Sequence, residues 1–214
     1  AMTHEEVVAE LTKNEITSYK QLPKLVYQIQ TKFRDEARAR GGLIRVREFT
    51  MKDAYSLDTS VEGLEKQYDA NYKAYFKIFK RTGLPVIAIQ SDTGMMGGKI
   101  AHEFMYITPA GEDTIFICEE SGYKANKEVA RIRKIPPAYE KPKALKKIFT
   151  PNAKTIEELS VLLNVDKTKF AKVVFFSGII SDETKVILAI VRGDMDVNPI
   201  KVQNKLKAKD LKPA

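Results

Sequence analysis

Cysteine is all but missing from this 214-residue sequence, and the one thiol, Cys118, cannot cross-link the chain to itself. That excludes the small secreted domains that depend on disulfides. Histidine is almost as scarce: His4 and His102 stand far apart, so no structural zinc site and no protein-held metal is expected. No apolar run approaches the roughly 20 residues that a membrane-crossing helix requires. The chain opens on Thr3-His4-Glu5-Glu6 rather than on a basic segment leading into an apolar one, so a secretory leader is not expected. These absences predict a cytoplasmic protein with no membrane partner. Internal repeats and heptads are also lacking, and 11 glycines and 9 prolines are too few for a collagen-like or low-complexity chain. What remains is 43% hydrophobic and 30% charged, the composition of a globular chain long enough for a sizeable core.

The net charge of +8 is unevenly placed. Residues 1–130 carry 18 basic and 19 acidic side chains, whereas residues 131–214 carry 18 and 9. The whole excess lies in the last third and is almost all lysine, a hydrated point charge suited to phosphate rather than to base edges. Composition alone leaves two readings open, a nucleic-acid partner or a solvated lysine surface.

Apolar residues from Glu5 to Leu22 return every three or four positions, which predicts an amphipathic helix with Thr3 as its N-cap. Leu25 to Phe33 alternates and is rich in β-branched and aromatic residues, as a strand is. The charged stretch Arg34 to Gly42 and the extended pattern from Leu43 to Met51 complete an antiparallel hairpin. Val61 to Thr82 has helical periodicity with Gly83 as a stop, and its aromatic stripe (Tyr68, Tyr72, Tyr75, Phe76, Phe79) is expected in the core. Strands are predicted at Pro85 to Gln90, His102 to Ile107 and Thr114 to Cys118, with a glycine-rich loop from Gly94 to Gly98. The expected fold class is α+β: an antiparallel sheet with flanking helices.

Prolines at 136, 137, 142 and 151 among lysines mark a linker over residues 134–150. Beyond it, Thr155 and Glu158 have capping-box spacing ahead of a helix that runs to Leu163. Two strands follow, Lys172 to Ser177 and Lys185 to Val191. Residues 197–211 show no clear closing element, so this smaller α/β segment is expected to be cut short.

The hairpin holds the parts of a nucleotide site. An arginine fork such as Arg34 binds phosphate through two hydrogen bonds, a carboxylate such as Glu36 accepts from an exocyclic amine, and Phe49 offers a face for a purine. Taken singly, these are solvated surface charges and a core phenylalanine. Taken as a string, Phe33-Arg34-Asp35-Glu36 followed by Gly42-Leu43-Ile44-Arg45-Val46-Arg47-Glu48-Phe49-Thr50-Met51-Lys52-Asp53-Ala54-Tyr55-Ser56 resembles motif 2 of class II aminoacyl-tRNA synthetases of the bacterial prolyl type. Thr3-His4-Glu5-Glu6, Tyr19-Lys20-Gln21-Leu22-Pro23, Gln28 to Lys32, Gly97-Gly98, His102-Glu103-Phe104-Met105 and Gly111 to Thr114 continue the resemblance in order. Thr150 to Leu159 and Val191-Arg192-Gly193-Asp194 are similar to the start of that family's insertion domain, which removes alanine misattached to the proline tRNA.

The resemblance implies proline, ATP with Mg²⁺, and the proline tRNA as substrates. It also implies a homodimer for the full-length enzyme. Arg34 and Glu36 would be catalytic, with Arg34 on the ATP α-phosphate and the substrate carboxylate region, Glu36 on the adenine amine and Phe49 stacked on adenine. Thr3 and Glu5 would hold the proline ammonium, with His102 lining that pocket. Arg38 would reach the tRNA acceptor stem. Lys172 would serve editing by anchoring the terminal phosphate or ribose of a misacylated tRNA. The implied organisation is a partial catalytic domain at 1–133, the linker at 134–150 and the first part of the editing insertion at 151–214.

The sequence also departs from the family pattern. The motif 2 loop commonly reads Arg-Pro-Arg-Phe-Gly, and here it reads Arg38-Ala39-Arg40-Gly41-Gly42. Lys99 stands near the proline pocket where a serine-rich loop is common. Motif 1, motif 3 and the editing domain's glycine-proline loop are not found, and Ala1 before Met2 looks like a cloning remnant. The expectation is therefore a piece of a longer synthetase, inactive by itself. The alternatives are a non-catalytic paralogue that binds tRNA or a partner protein, and a free-standing editing hydrolase.

Overall fold

The computed structural model describes residues 3–94, 97–134, 139 and 141–214. Ala1, Met2, the Met95-Met96 pair of the glycine-rich loop, and Pro136 and Pro137 of the expected linker lie outside the described residues. The chain forms two compact units, Ala1–Val86 and Ile87–Ala214.

In the first unit, helix α1 spans Glu5–Glu15. His4, not Thr3, is its N-cap residue, and no side chain caps it there. Glu5 and Glu6 in the first turn and Lys13 in the last complement the helix dipole. The helix stops about two turns before Leu22, because Ser18 opens a separate 3₁₀ turn, Tyr19–Gln21, with its own capping box. A cis Leu22-Pro23 bond then leads into β1, Lys24–Phe33.

Strand β2, Glu48–Leu57, pairs antiparallel with β1 over its whole length, from Lys24 opposite Leu57 to Phe33 opposite Glu48. The expected strand start at Leu43 is corrected: Leu43 and Ile44 are 92% and 91% exposed in the loop. Gly41 and Gly42, with φ of 68° and 63°, reverse the chain there. Arg40 and Arg45 then close a small bridge of two backbone hydrogen bonds, 2.9 and 3.2 Å. Left-handed φ is open to glycine at little steric cost, so the Gly-Gly pair sets where the return strand begins.

Helix α2, Val61–Arg81, is capped by Ser60 and ends at Gly83, whose φ is 74°. Its aromatic stripe is not core: no residue of α2 is fully buried, and Tyr68 and Phe76 are 40% and 38% exposed. Tyr72 meets Phe76 edge-on at 5.3 Å, and the Lys52 ammonium of β2 lies 4.9 Å from the Tyr75 ring centre. The most deeply buried side chain of this unit is Lys32, at 0% exposure.

The second unit holds two sheets. Strands β3 (Val86–Ser91), β4 (Ala101–Tyr106), β5 (Ile115–Ile117) and β6 (Lys124–Asn126) form one sheet in the order β4-β3-β6-β5. β6 was not anticipated, being only three residues long. It pairs parallel with β3 and antiparallel with β5, so this sheet is mixed rather than purely antiparallel. Asn126 donates to Ser91 at 2.9 Å and Ser91 to Glu103 at 2.6 Å, which satisfies these part-buried polar groups within the sheet.

Helix α3, Ile156–Leu163, begins with the expected Thr155/Glu158 capping box and ends in left-handed Asn164. Strands β7 (Ala171–Ile180) and β8 (Glu183–Arg192) make a ten-residue hairpin, and Ser181 and Asp182 supply its two positive-φ turn residues. Helix α4, Pro199–Leu206, and strand β9, Lys209–Pro213, follow, and β9 pairs antiparallel with β7. Residues 197–211 therefore do contain a closing element, in the sheet order β8-β7-β9. Asp210 in β9 is left-handed and the pairing is irregular between Ser177 and Ile179, which hides the strand from period-two reading. Phe176 and Ala208 are buried here, at 4% and 6% exposure.

Candidate functional site

The hairpin brings Arg34, Glu36, Arg38 and Phe49 together. Arg34 continues the β1 line, with its backbone N–H donating to the Arg47 carbonyl at 2.8 Å. Its guanidinium carbon lies 5.4 Å from the centre of the Phe49 ring, a cation–π distance. Glu36 is held by three neighbours. Its carboxylate accepts from the Arg38 backbone N–H at 2.9 Å and pairs with Arg45 Nε at 3.2 Å, while its carbonyl accepts from Arg47 Nε at 3.1 Å. The bond from the Arg38 backbone, with the nearby charges of Arg45, Arg38 and Arg40, holds the Glu36 carboxyl below its ordinary pKa against the opposing effect of burial. Glu36 is thus an ionised acceptor aimed by backbone geometry. Arg38 itself is exposed on the loop.

The same face of β1 carries a second group at period two. Gln28, Gln30, Lys32 and Arg34 alternate with the exposed Tyr27, Ile29 and Phe33, and Asp53 of β2 stands opposite Gln28. Gln28 Nε2 and Gln30 Nε2 each lie 2.6 Å from His4 Nδ1, and Lys32 Nζ lies 2.9 Å from the same nitrogen. Lys32 also pairs with Asp53 at 3.0 Å, and Gln28 Nε2 donates to Asp53 at 2.6 Å. The Tyr55 hydroxyl donates to Asp53 as well. Burial alone would raise the Asp53 pKa, but the hydrogen bonds from Tyr55, Gln28 and Lys32 and the Lys32 charge outweigh it and lower it to about 2. Tyr55 is pushed up by burial, by its bond to Asp53 and by the charges of Asp53 and Glu5. This cluster was not anticipated from the sequence, although the period-two run of polar residues in an otherwise apolar strand is the signal that could have shown it.

Thr3 and Glu5 flank His4, and the Thr3 hydroxyl donates to the Glu5 carboxylate. Both are exposed. The first unit therefore contains six of the eight anticipated site residues, namely Thr3, Glu5, Arg34, Glu36, Arg38 and Phe49. His102, half-buried in β4, and Lys172 belong to the second.

Lys172 is the second residue of β7. Its ammonium pairs with Asp196 at 2.7 Å, and the bond and charge of Lys172 hold the Asp196 carboxyl below its usual pKa. Lys172 lines a cavity of about 460 Å³ with Lys154, Thr155, Glu157 and Gly193. Gly193 is required by close approach: an added Cβ would stand 2.5 Å from the Lys167 carbonyl oxygen and 3.0 Å from Phe170 Cβ. Among the described residues, no group of three or more His, Cys, Asp and Glu side chains could hold a metal ion, and no helix is long and apolar enough to cross a membrane.

Comparison with known proteins gives this geometry a context. The sequence matches the profile of the tRNA synthetase class II core domain (G, H, P, S and T) over residues 1–191. It is 51% identical over 218 aligned positions to a protein of Salinispora tropica named proline–tRNA ligase, covering 100% of this chain and 37% of that one. A Bacillus subtilis protein of the same name is 50% identical over 207 positions, 96% of this chain and 36% of that one. A third, from Dehalococcoides mccartyi, is 46% identical over 212 positions and covers 99% of this chain. The chain spans little more than a third of the length of these relatives.

Proposed function

The chain belongs to the tRNA synthetase class II core family, and from that membership we propose that it is part of a prolyl-tRNA synthetase. In this reading residues 1–133 contribute to the catalytic domain, 134–150 form a linker and 151–214 begin the editing insertion. The observation that carries it is the Arg34–Phe49–Glu36 arrangement on one hairpin, within a chain whose relatives named proline–tRNA ligase match it along its whole length.

Chemically, the arrangement suits adenylate formation. Arg34 turns from the Phe49 face to the α-phosphate, a purine stacks on the face so vacated, and Glu36 accepts from the exocyclic amine. A carboxylate oxygen of proline attacks the α-phosphorus in line, pyrophosphate leaves, and prolyl-adenylate forms. Charge builds on the phosphate oxygens in the transition state, and a fixed guanidinium stabilises it there. Mg²⁺ supplies further neutralisation of the phosphates. No group of three or more His, Cys, Asp and Glu side chains among the described residues could hold a metal ion, so Mg²⁺ would enter as a companion of ATP. Thr3 and Glu5 receive the proline ammonium, and His102 is assigned to proline binding by the family resemblance. A terminal hydroxyl of the proline tRNA then attacks the activated carbonyl and AMP leaves. Arg38, exposed on its loop, contacts the acceptor stem, and the lysine-rich last third adds phosphate affinity. Lys172 holds the terminal phosphate or ribose of a mischarged alanyl-tRNA for hydrolysis. The full-length enzyme is a homodimer working in the cytoplasm.

Proline-dependent exchange of pyrophosphate into ATP tests this reading, run on these 214 residues beside a longer chain that includes motifs 1 and 3. Activity in the longer chain alone is the expected result. Activity in neither overturns it in favour of a non-catalytic paralogue.

A further inference from the structure

The least accessible side chain of the first unit is a cation, and its burial calls for a reason. Lys32 is fully buried, its ammonium is shared between Asp53 Oδ1 at 3.0 Å and His4 Nδ1 at 2.9 Å, and Asp53 is itself only 15% exposed. A buried ion pair is rarely a net source of stability compared with apolar residues of the same size, so its retention points to a geometric task. The partners identify that task. Gln28, Gln30 and Lys32 are successive residues on one face of β1, and all three aim donors at a single acceptor, His4 Nδ1. A ring nitrogen has a single lone pair and accepts from one donor at a time, so the three groups crowd one point of contact with His4. His4 lies between Thr3 and Glu5 at the N-terminus of α1, where no side-chain cap fixes the chain. The segment is thus tied to the sheet through His4, not through a helix cap. Tyr55, the third support of Asp53, also feels the charge of Glu5.

We propose that Lys32 and Asp53 are positioning residues for the amino-acid end of the site: acting through His4, they hold the Thr3–Glu5 segment against β1 and β2 and set where the substrate ammonium is received. This rests on the reading of the site as one that forms prolyl-adenylate. Arg34, two residues beyond Lys32 on the same face, serves the nucleotide end of the stripe, so one row of β1 side chains governs both halves of the reaction. Its two ends are separable because the nucleotide contacts of Phe49, Glu36 and Arg45 do not pass through His4.

The experiment is pyrophosphate exchange by the full-length enzyme, measuring KM for proline and for ATP separately. The variants are His4→Ala, His4→Asn and Lys32→Met, and active-site titration corrects for the folded fraction. His4→Ala removes the tether and leaves the buried Lys32 ammonium paired with Asp53. It is expected to raise KM for proline on the order of tenfold to a hundredfold, with KM for ATP within about twofold of wild type. His4→Asn restores an acceptor at the place of Nδ1 and is expected to recover most of the loss. Lys32→Met keeps the length of the side chain and is expected to show the same split as His4→Ala. Unchanged KM for proline in His4→Ala, or equal changes in both KM values, overturns the positioning role and leaves Lys32 and Asp53 as supports of the sheet. A wild-type enzyme without proline-dependent exchange instead overturns the proposed function, and the inference with it.

Discussion

A single aromatic ring and a single carboxylate have consequences that can be measured separately. If a purine stacks on Phe49, then Phe49→Ala removes stacking worth about 1–3 kcal/mol, and KM for ATP rises by about fivefold to 150-fold while KM for proline holds near wild type in the exchange assay. A shift in the proline constant alone would count against the placement of adenine. Asp53 gives a pH signature of definite sign. Its carboxyl titrates at about 2 in the folded chain, below its ordinary value near 3.8. It therefore stabilises the fold fully above the unfolded pKa, and that contribution is lost as pH falls through about 2. Denaturant unfolding followed between pH 5 and pH 2 should lose stability toward the acid end, and Asp53→Asn should flatten that slope. An equally steep slope in the variant would assign the acid sensitivity to other carboxylates.

Helices and strands here are bounded by individual residues whose replacement tests the boundary. Gly193, just after β8, has no room for a methyl group because the Lys167 carbonyl oxygen would stand 2.5 Å from it. Gly193→Ala is expected to cost about 1–3 kcal/mol through overpacking against backbone and to lower the thermal midpoint of unfolding. An unchanged midpoint would mean that the turn before β7 yields easily. Thr155 both caps α3 and borders the Lys172 cavity. Losing the cap in Thr155→Ala should destabilise α3 by about 1 kcal/mol, whereas Thr155→Ser should not. The two ends of α1 show how far such signals are legible. Ser18 and Gln21 form a capping box that any reading of spacing could have found, yet the apolar period running on to Leu22 concealed it. Thr3 has the chemistry of an N-cap, but its hydroxyl is turned to Glu5 and His4 takes the position.

Across the whole chain, the charge asymmetry is the property that bears on a large partner. The last third has twice as many basic as acidic residues, and lysine suits phosphate rather than base edges. Binding of the proline tRNA by the full-length enzyme should weaken steeply with salt, and replacing several lysines beyond residue 131 by glutamine should reduce the slope of log affinity against log salt. A slope unaffected by those replacements would return the lysines to the role of solvated surface.

Most elements of this fold, and the grouping of Arg34, Glu36 and Phe49 on one hairpin, could be read from sequence because they depend on local regularities. Alternation marks β1, helical period marks α2, spacing marks the Thr155/Glu158 cap, and the Phe33-to-Ser56 string marks the family. What sequence alone could not supply are features set by partners distant in the chain. The parallel pairing of β3 with β6 and the closure of the second sheet by β9 join segments tens of residues apart, and β6 and β9 are too short or too irregular to show a period. The partial exposure of the α2 stripe is likewise a matter of what packs on it, which periodicity does not specify. The burial of Lys32 is the clearest case. Composition counts it among the surface lysines, and only the antiparallel register that sets Gln28 beside Asp53, together with the approach of His4, makes a buried ammonium satisfied. Local propensity is written in neighbouring residues, but the cost of burying a charge is decided by the groups that surround it in space.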